Sequence, residues 1–515
     1  MATLAEKNET AAGSHEVSRR QIRGSTMLVF GRVLAMAINF LAQLLVVRDL
    51  TTADYGLWAY VISVVAFCEG FSTLGLGRAI TRFIPIYHER GEYRKVLGTI
   101  VLAFATALLV CLLIVAIVYA APHQLARFLA KGHDPIPLLL VLILLVPIEG
   151  IDGLMMGLFA SFSGARAIFI RRFVLGPSLR LIAVLALIAS HGGVRFLAIG
   201  YVAASLLGVI IYTWLLIRQL REIGLLTNVR LQEIEIPVRE VFAFTIPLLT
   251  TDLVTVVNNS VVLLLLGYYH GTTAVAYYRV VLPAAMLNTL VMTGFAMMYT
   301  PSAARLFARN DAAGINHIYW QTAVWMGALS FPIFAATFCF ARPVTVFLYG
   351  HRYEQSATIL ALLSLGNFIS VVSGFNGLTL KVVGQLKYMV TINIIAALSS
   401  VVFSVLLIPR YGLLGGALSA TGAIALHNVL KQAGLRLISG VRLFEREYTT
   451  FYLVMAFSSV GLFLLRFLKM GVWVDLLLAG LASLLVLVAS RKALRIGYMF
   501  PEVQKIPLMR RFFVV

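Results

Sequence analysis

At 515 residues, 60% of them hydrophobic and 12% charged, the chain has a mean hydropathy of +0.92, far from the roughly 25% charged content of soluble domains. No water-facing surface can be assembled from that mixture without large apolar patches, so a soluble protein is excluded and a bilayer is the expected solvent. The net charge of +20 does not point to nucleic acid, because the basic residues recur in short gaps between apolar runs, as cytoplasmic topology signals do.

Residues 1–24 are polar and lack an apolar centre, so they read as a cytoplasmic tail rather than a cleaved signal. Beyond them, the requirement of about 20 mostly apolar residues per crossing divides the chain. Fourteen spans are predicted, at 25–47, 57–79, 97–120, 136–160, 175–190, 196–217, 241–267, 273–298, 319–341, 355–376, 388–408, 412–432, 450–467 and 473–490. With both termini in the cytoplasm, the inner segments collect twenty-eight Lys and Arg residues against eight outside. That bias predicts the orientation and assigns most basic clusters, Arg171, Arg172 and Arg436 among them, to topology rather than to ligands. Cys68, Cys111 and Cys339 lie inside apolar runs and read as small hydrophobes.

A weak internal repeat sets the organisation. LTTADYGLWAYVISVVAF follows the first span and HGTTAVAYYRVVLPAAML the seventh, and each leads to a proline-containing junction, RFIPIYHERGE or YTPSAARLFARND. Six spans separate the copies, so both enter the membrane in the same direction. The expected fold is an all-α polytopic membrane protein with about fourteen transmembrane helices: two parallel six-helix bundles plus two C-terminal helices. Its predicted parts are the tail at 1–24, a bundle at 25–220, a cytoplasmic linker at 221–240 with an amphipathic stretch, a bundle at 241–435, two appended spans within 436–490 and a basic cytoplasmic tail at 491–515. A two-bundle transporter is expected to hold its substrate between the halves.

Within the first span, Arg32, Met36, Asn39 and Gln43 recur at three- and four-residue spacings and share one helix face. In the seventh, Thr245, Asp252, Thr255 and Asn259 make a comparable stripe. Arg32 is short enough of the cytoplasmic end to snorkel, but the polar stripe that continues from it favours a substrate role, as does arginine's fixed fork for phosphate or carboxylate oxygens. Arg279, in the eighth span, carries the same two readings. Arg78, Arg82 and Arg180 lie nearer cytoplasmic ends and suit gating or interfacial junctions. Lys431 and Arg466 sit at span edges and require no cavity. Glu69, Glu149, Asp152 and Asp252 are intramembrane acids, each a partner for an arginine or a carrier of a coupling ion.

No phosphate loop of the GxxxxGK[ST] form and no soluble segment of ATPase size is present, so ATP-driven transport would require a separate subunit. The histidines lack HExxH spacing, and His88 and His351 fall in predicted loops. The predicted outer loops are too short to carry a catalytic domain, so the expectation is a transporter with no enzyme activity, cofactor or metal.

The run LAQLLVVRDLTTADYGLWAYVISVVAFCEGFSTLGLGRAITRFIPIYHERGE resembles the N-terminal signature of the polysaccharide exporter family: a first helix, a D/EYG turn, a GLG segment and R-F at the junction. FLYGHRYEQS, the G-x-x-K turn of VVGQLK, and P-x-Y-G-x-x-G-G-A at Pro409, Tyr411, Gly412, Gly415, Gly416 and Ala417 resemble its second half. The resemblance covers most of spans one to twelve and extends to the superfamily of multidrug, oligosaccharide and peptidoglycan-precursor flippases. It implies movement of a polyprenyl-diphosphate-linked oligosaccharide across a bacterial inner (plasma) membrane, from the cytoplasmic to the outer leaflet, for exopolysaccharide, capsule or O-antigen synthesis. It also implies a basic cavity that receives the diphosphate and sugar, with Arg32 matching the family's first-helix positive residue and Arg279 a looser match; Asn39, Gln43 and Asn259 join them as substrate candidates from the polar stripes. Asp252, Glu69, Glu149 and Asp152 would serve a coupling proton or sodium ion. A peptidoglycan-precursor flippase and a cation-coupled multidrug antiporter are the alternatives. The partners implied are membrane lipids, a polysaccharide polymerase and glycosyltransferases, with one chain sufficient as a monomer.

Overall fold

The computed structural model describes residues 27–28, 30–126, 129, 134–162, 165–224, 234–468 and 470–495. The predicted N-terminal tail, the middle of the 221–240 linker with its amphipathic stretch, and the basic tail beyond residue 495 lie outside the described residues. Among those described there are helices and turns but no strand. Twelve helical stretches are long and apolar enough to cross a bilayer. Two of them, Ser260–Ala308 and Leu386–Ile438, break at Gly271 (φ 80°) and Gly412 (φ 55°), where only a residue without Cβ takes the positive φ easily. Divided there, the stretches correspond to the fourteen crossings expected.

The described residues form two compact units, one up to residue 256 and the other from residue 257. The division falls inside the seventh span, at Val256, rather than in the 221–240 linker. In unit 1 we number α1 (Phe30–Asp49), α2 (Thr52–Ser72), α3 (Leu76–Glu89), α4 (Tyr93–Ala120), α5 (Ile136–Ser161), α6 (Arg166–Ser190) and α7 (Val194–Glu222). The start of α8 (238–270) also belongs to unit 1.

The D/EYG turn of the sequence is the first turn of α2. Thr51 caps that helix, its Oγ1 accepting from the Asp54 N–H at 3.1 Å and donating to the Asp54 carboxylate at 2.7 Å. The GLG segment ends α2: Leu74 and Gly75 take positive φ and the chain restarts as α3. The proline-containing junction is itself helical: Pro85 lies within α3, whose Leu76, Ala79, Ile80, Ile84 and Tyr87 enter the unit's core with Leu154, Leu158 and Phe159 of α5. Gly98 of α4 allows the end of the linker to lie against the helix, since a Cβ there would stand 1.8 Å from the Glu235 carbonyl oxygen.

Unit 2 holds the rest of α8, α9 (272–286), α10 (Leu290–Ala308), α11 (Ala312–Phe334), α12 (Ala341–Tyr349), α13 (Ala357–Val372), α14 (Asn376–Val382), α15 (386–411), α16 (413–439), α17 (Thr449–Leu465) and α18 (Val472–Ala489). Its α9, three-residue 3₁₀ turn and α10 with Pro301 repeat the helix, break and proline-bearing helix of α2 and α3. The sequence repeat thus marks one local device used in each unit. The core centres on aromatic rings: Phe334 stacks on Phe368 at a centroid distance of 4.0 Å, and Phe331 packs beside them.

Spans thirteen and fourteen, expected as an appendage, belong to this core. Phe451, Met455 and Leu462 of α17 and Ala479 and Val486 of α18 are buried in the same cluster. A Cβ on Gly327 of α11 would meet the Phe451 ring at 3.2 Å, so the missing side chain admits that ring. Large apolar side chains such as Leu109, Leu113, Leu398 and Leu485 remain exposed along the helices, as a hydrocarbon environment requires.

Candidate functional site

Alpha-helical periodicity places Arg32 and Asn39 between two apolar faces of α1. Gly31, Ala35, Ala42 and Val46 are buried on the packed side, while Phe30, Val33 and Leu41 are exposed. Gly31 sits under the rings of Phe169 and Phe173, which its Cβ would approach to 2.7 Å. Arg32 and Asn39 are exposed, and no hydrogen bond or ion pair to Arg32 occurs among the described residues. Gln43 is differently placed: its amide donates to the Tyr55 hydroxyl at 3.2 Å, tying α1 to α2.

The expected acids of unit 1 are mostly held by arginines. Asp252 pairs with Arg78, so a coupling-ion candidate and a junction candidate form one contact between α8 and α3. Gly75 makes room for it, since a Cβ there would lie 3.2 Å from Asp252 Oδ2. Arg82, one turn on, instead lays its guanidinium over the Phe244 ring at 4.3 Å.

A second network spans α2, α5, α6 and α7. Arg180, read from sequence as interfacial, pairs with Glu149, and the Ser205 hydroxyl donates to the same carboxylate oxygen at 3.0 Å. Arg171, counted in sequence with the topology signals, is 6% exposed and meets Asp152 at 2.8 Å. The backbone is shaped around it. Residues Phe169–Leu175 form a π-helical segment, which accommodates an extra residue per turn just before Pro177, and its widened ladder turns Arg171 inward. Two glycines then leave space for the guanidinium: a Cβ on Gly208 would stand 2.8 Å from Arg171 Cζ, and one on Gly176 2.7 Å from its Nη1. Neither glycine carried a readable signal in a chain with 40 of them.

Glu69 of α2 is half-buried and lies within electrostatic range of Glu149, Asp152, Arg172 and Arg180. Its carboxylate makes no hydrogen bond or ion pair among the described residues. It is therefore the one of the four predicted acids not held by an arginine.

In unit 2, Arg279 is half-buried in α9 without an ion pair among the described residues. The side chain of Asn259 lies outside those described. A polar spine that sequence reading did not single out crosses the unit. Asn376 donates to Asn428 at 3.1 Å, Asn428 to Ser370 at 3.0 Å, and the Tyr299 and Thr379 hydroxyls meet at 2.6 Å. No group of three or more potential metal ligands gathers among the described residues.

The profile of the polysaccharide biosynthesis protein family matches residues 22–307, and that of the MatE family matches residues 247–406. Among curated proteins none matches the chain. Solved structures share the fold. A lipid II flippase, MurJ, in an inward closed conformation superposes with a TM-score of 0.65 at 14% identity, covering 94% of this chain and 99% of its own. A multidrug resistance MATE transporter in an inward-facing conformation gives 0.62 at 16% identity over 79% and 94%. A transporter from Pyrococcus furiosus, described as having a binding pocket of reverse polarity, gives 0.54 at 14% identity over 82% and 95%. With its helical membrane architecture and a family profile covering more than half its length, the chain belongs to the polysaccharide biosynthesis protein family, a polysaccharide exporter branch of the multidrug/oligosaccharidyl-lipid/polysaccharide exporter superfamily.

Proposed function

We propose that this transporter is a flippase for a polyprenyl-diphosphate-linked oligosaccharide, moving it by alternating access from the cytoplasmic to the outer leaflet of a bacterial plasma membrane. The observation that carries the reading is Arg32: a permanent positive charge, exposed and with no hydrogen bond or ion pair among the described residues, on a first helix whose other faces are largely apolar. Moving a bare diphosphate through hydrocarbon is prohibitively costly, whereas a guanidinium supplies paired donors that replace part of its hydration shell. Asn39, on the same face, extends hydrogen bonding toward the sugar. Arg279 supplies a second positive charge in unit 2. An inside-negative potential favours outward movement of an anion by about 2.3 kcal/mol per charge per 100 mV.

Glu69 is the coupling-ion site this reading favours. Glu149, Asp152 and Asp252 already have arginine partners, whereas the Glu69 carboxylate has no hydrogen bond or ion pair among the described residues and so suits a proton or sodium ion. Glu69→Gln is expected to leave substrate binding intact but remove the dependence of flipping on an imposed proton or sodium gradient. Flipping that still responds to both gradients excludes Glu69 from coupling.

The substrate class is tested by binding to the purified chain of diphosphate-linked oligosaccharides, a peptidoglycan precursor and lipophilic cations. Binding of the oligosaccharide diphosphates above the other two is expected. Preference for the peptide-bearing precursor moves the protein to the peptidoglycan branch, and preference for cations to multidrug antiport.

A further inference from the structure

Unit 2 carries a second group of positive charges that the reading above does not use. From Gln355 to Phe444 the sequence has no Asp or Glu, yet it contains Lys381, Lys387, Arg410, Lys431, Arg436 and Arg442. Two of these come together. Lys431 of α16 is half-buried, with its stem against α14: a Cβ on Gly377 would stand 3.6 Å from Lys431 Cε and 3.7 Å from its Cδ. Lys381, exposed, lies one helical turn beyond Gly377 and so on the same face of α14 that the Lys431 stem meets. His427, one helical turn before Lys431, is within range of the same charge and hydrogen-bonds Asn393 at 3.0 Å. Beside them, the Gln432 Oε1 accepts from the Tyr319 hydroxyl at 2.7 Å, while its Nε2 is buried without a partner.

Among the described residues neither lysine has an ion pair. Of the described acids of unit 2, Asp311 accepts from the Gly314 N–H at the start of α11, and Glu354, Glu445 and Glu447 pair with Arg342, Arg442 and Arg495. Asp475 belongs to α18. A lysine at a span edge would ordinarily snorkel to water. Here Lys431 is half-buried and the exposed Lys381 stands on the facing helix, so a counter-anion taken from water can neutralise both. A phosphate offers more than one negative oxygen and so meets both ammonium groups at once.

We propose that Lys381 and Lys431 form a phosphate-binding site within unit 2, taking a phosphate or diphosphate group between the last turn of α14 and the C-terminal half of α16. In the predicted orientation this region faces the cytoplasm, so the proposal rests on that part of the functional reading and would serve to load an anionic headgroup before translocation.

Two probes on the full chain, held in phosphatidylcholine nanodiscs, test it. Binding of labelled inorganic pyrophosphate reads the free anion, and native mass spectrometry of retained phosphatidylglycerol reads the lipid-borne one. Removing one ammonium by Lys431→Met or Lys381→Gln is expected to weaken binding of at least one probe about tenfold, the equivalent of about 1.4 kcal/mol. Lys431→Arg keeps the charge and is expected to keep the binding, which separates loss of the site from loss of the fold. Lys387→Gln, which removes a charge of the same stretch outside the pair, should leave both probes unaffected. Pyrophosphate binding supports a site that the headgroup alone satisfies, and phosphatidylglycerol retention without it supports one that needs a lipid. Binding equal in wild type, Lys381→Gln and Lys431→Met, or absent for both probes in wild type, overturns the proposal. Intact binding alongside failure to flip any polyprenyl diphosphate would count against the flippase reading alone.

Discussion

Arg171 and Arg32 carry the same charge in opposite surroundings, and their substitutions should fail in different ways. Arg171 is buried against Asp152 in a space that Gly176 and Gly208 leave open. Arg171→Ala leaves a buried carboxylate uncompensated, and a loss of about 3–5 kcal/mol of stability is expected from such a break. A lowered Tm of the purified protein checks it, and the paired change Arg171→Met with Asp152→Leu should recover most of the loss, since well-packed apolar side chains can replace a buried ion pair. An unchanged Tm in the single variant would mean that water already reaches the carboxylate. Gly208→Ala should imitate the single variant by displacing the guanidinium. Arg32→Ala, which removes an exposed side chain with no hydrogen bond or ion pair among the described residues, should leave Tm nearly unchanged.

At the scale of elements, the α2–α3 break concentrates several requirements in a few residues. Gly75 supplies a φ of 72° and at the same time leaves room for the Asp252 carboxylate, while Arg78 in the first turn of α3 reaches that carboxylate. Gly75→Ala is therefore expected to cost about 1 kcal/mol or more, through backbone strain together with crowding of Asp252. If Arg78 and Asp252 act as a pair, Arg78→Asp and Asp252→Arg should each impair the protein, and the double exchange should restore part of both stability and transport. Failure of the exchange to rescue either quantity would show that each residue acts separately.

These elements also show what the sequence made legible. Apolar run length gave the crossings, because a bilayer imposes one length on every helix. The GLG segment and the repeat with its prolines marked the breaks, because glycine and proline act on their own backbone. Partners were not legible. Arg171 and Arg172 stand next to each other in a basic gap, and only the π-helical segment turns one inward while the other stays exposed. Lys431 looked like an edge residue because nothing in its neighbourhood along the chain reveals Gly377 and Lys381 beside it. The last two spans resemble lipid-facing helices in composition, and their place in the core of unit 2 depends on Gly327 and Phe451 meeting across more than a hundred residues of sequence.

Across the whole molecule, charge is divided unequally. Unit 1 places Glu69, Glu149, Asp152 and Asp252 in its helices, mostly with arginine partners, whereas unit 2 has a stretch from Gln355 to Phe444 with basic residues and no acid. Ion coupling fits the first composition and anion binding the second. The proposed anion contact of Arg32 lies in the acid-rich unit, and the central claim rests on it. The most direct measurement is flipping of a defined polyprenyl-diphosphate oligosaccharide in proteoliposomes under an imposed inside-negative potential, comparing wild type with Arg32→Ala at matched insertion. Potential-driven flipping by the wild type that falls about tenfold or more in the variant, as loss of a charge-assisted contact predicts, supports the account; equal rates in the two proteins contradict it.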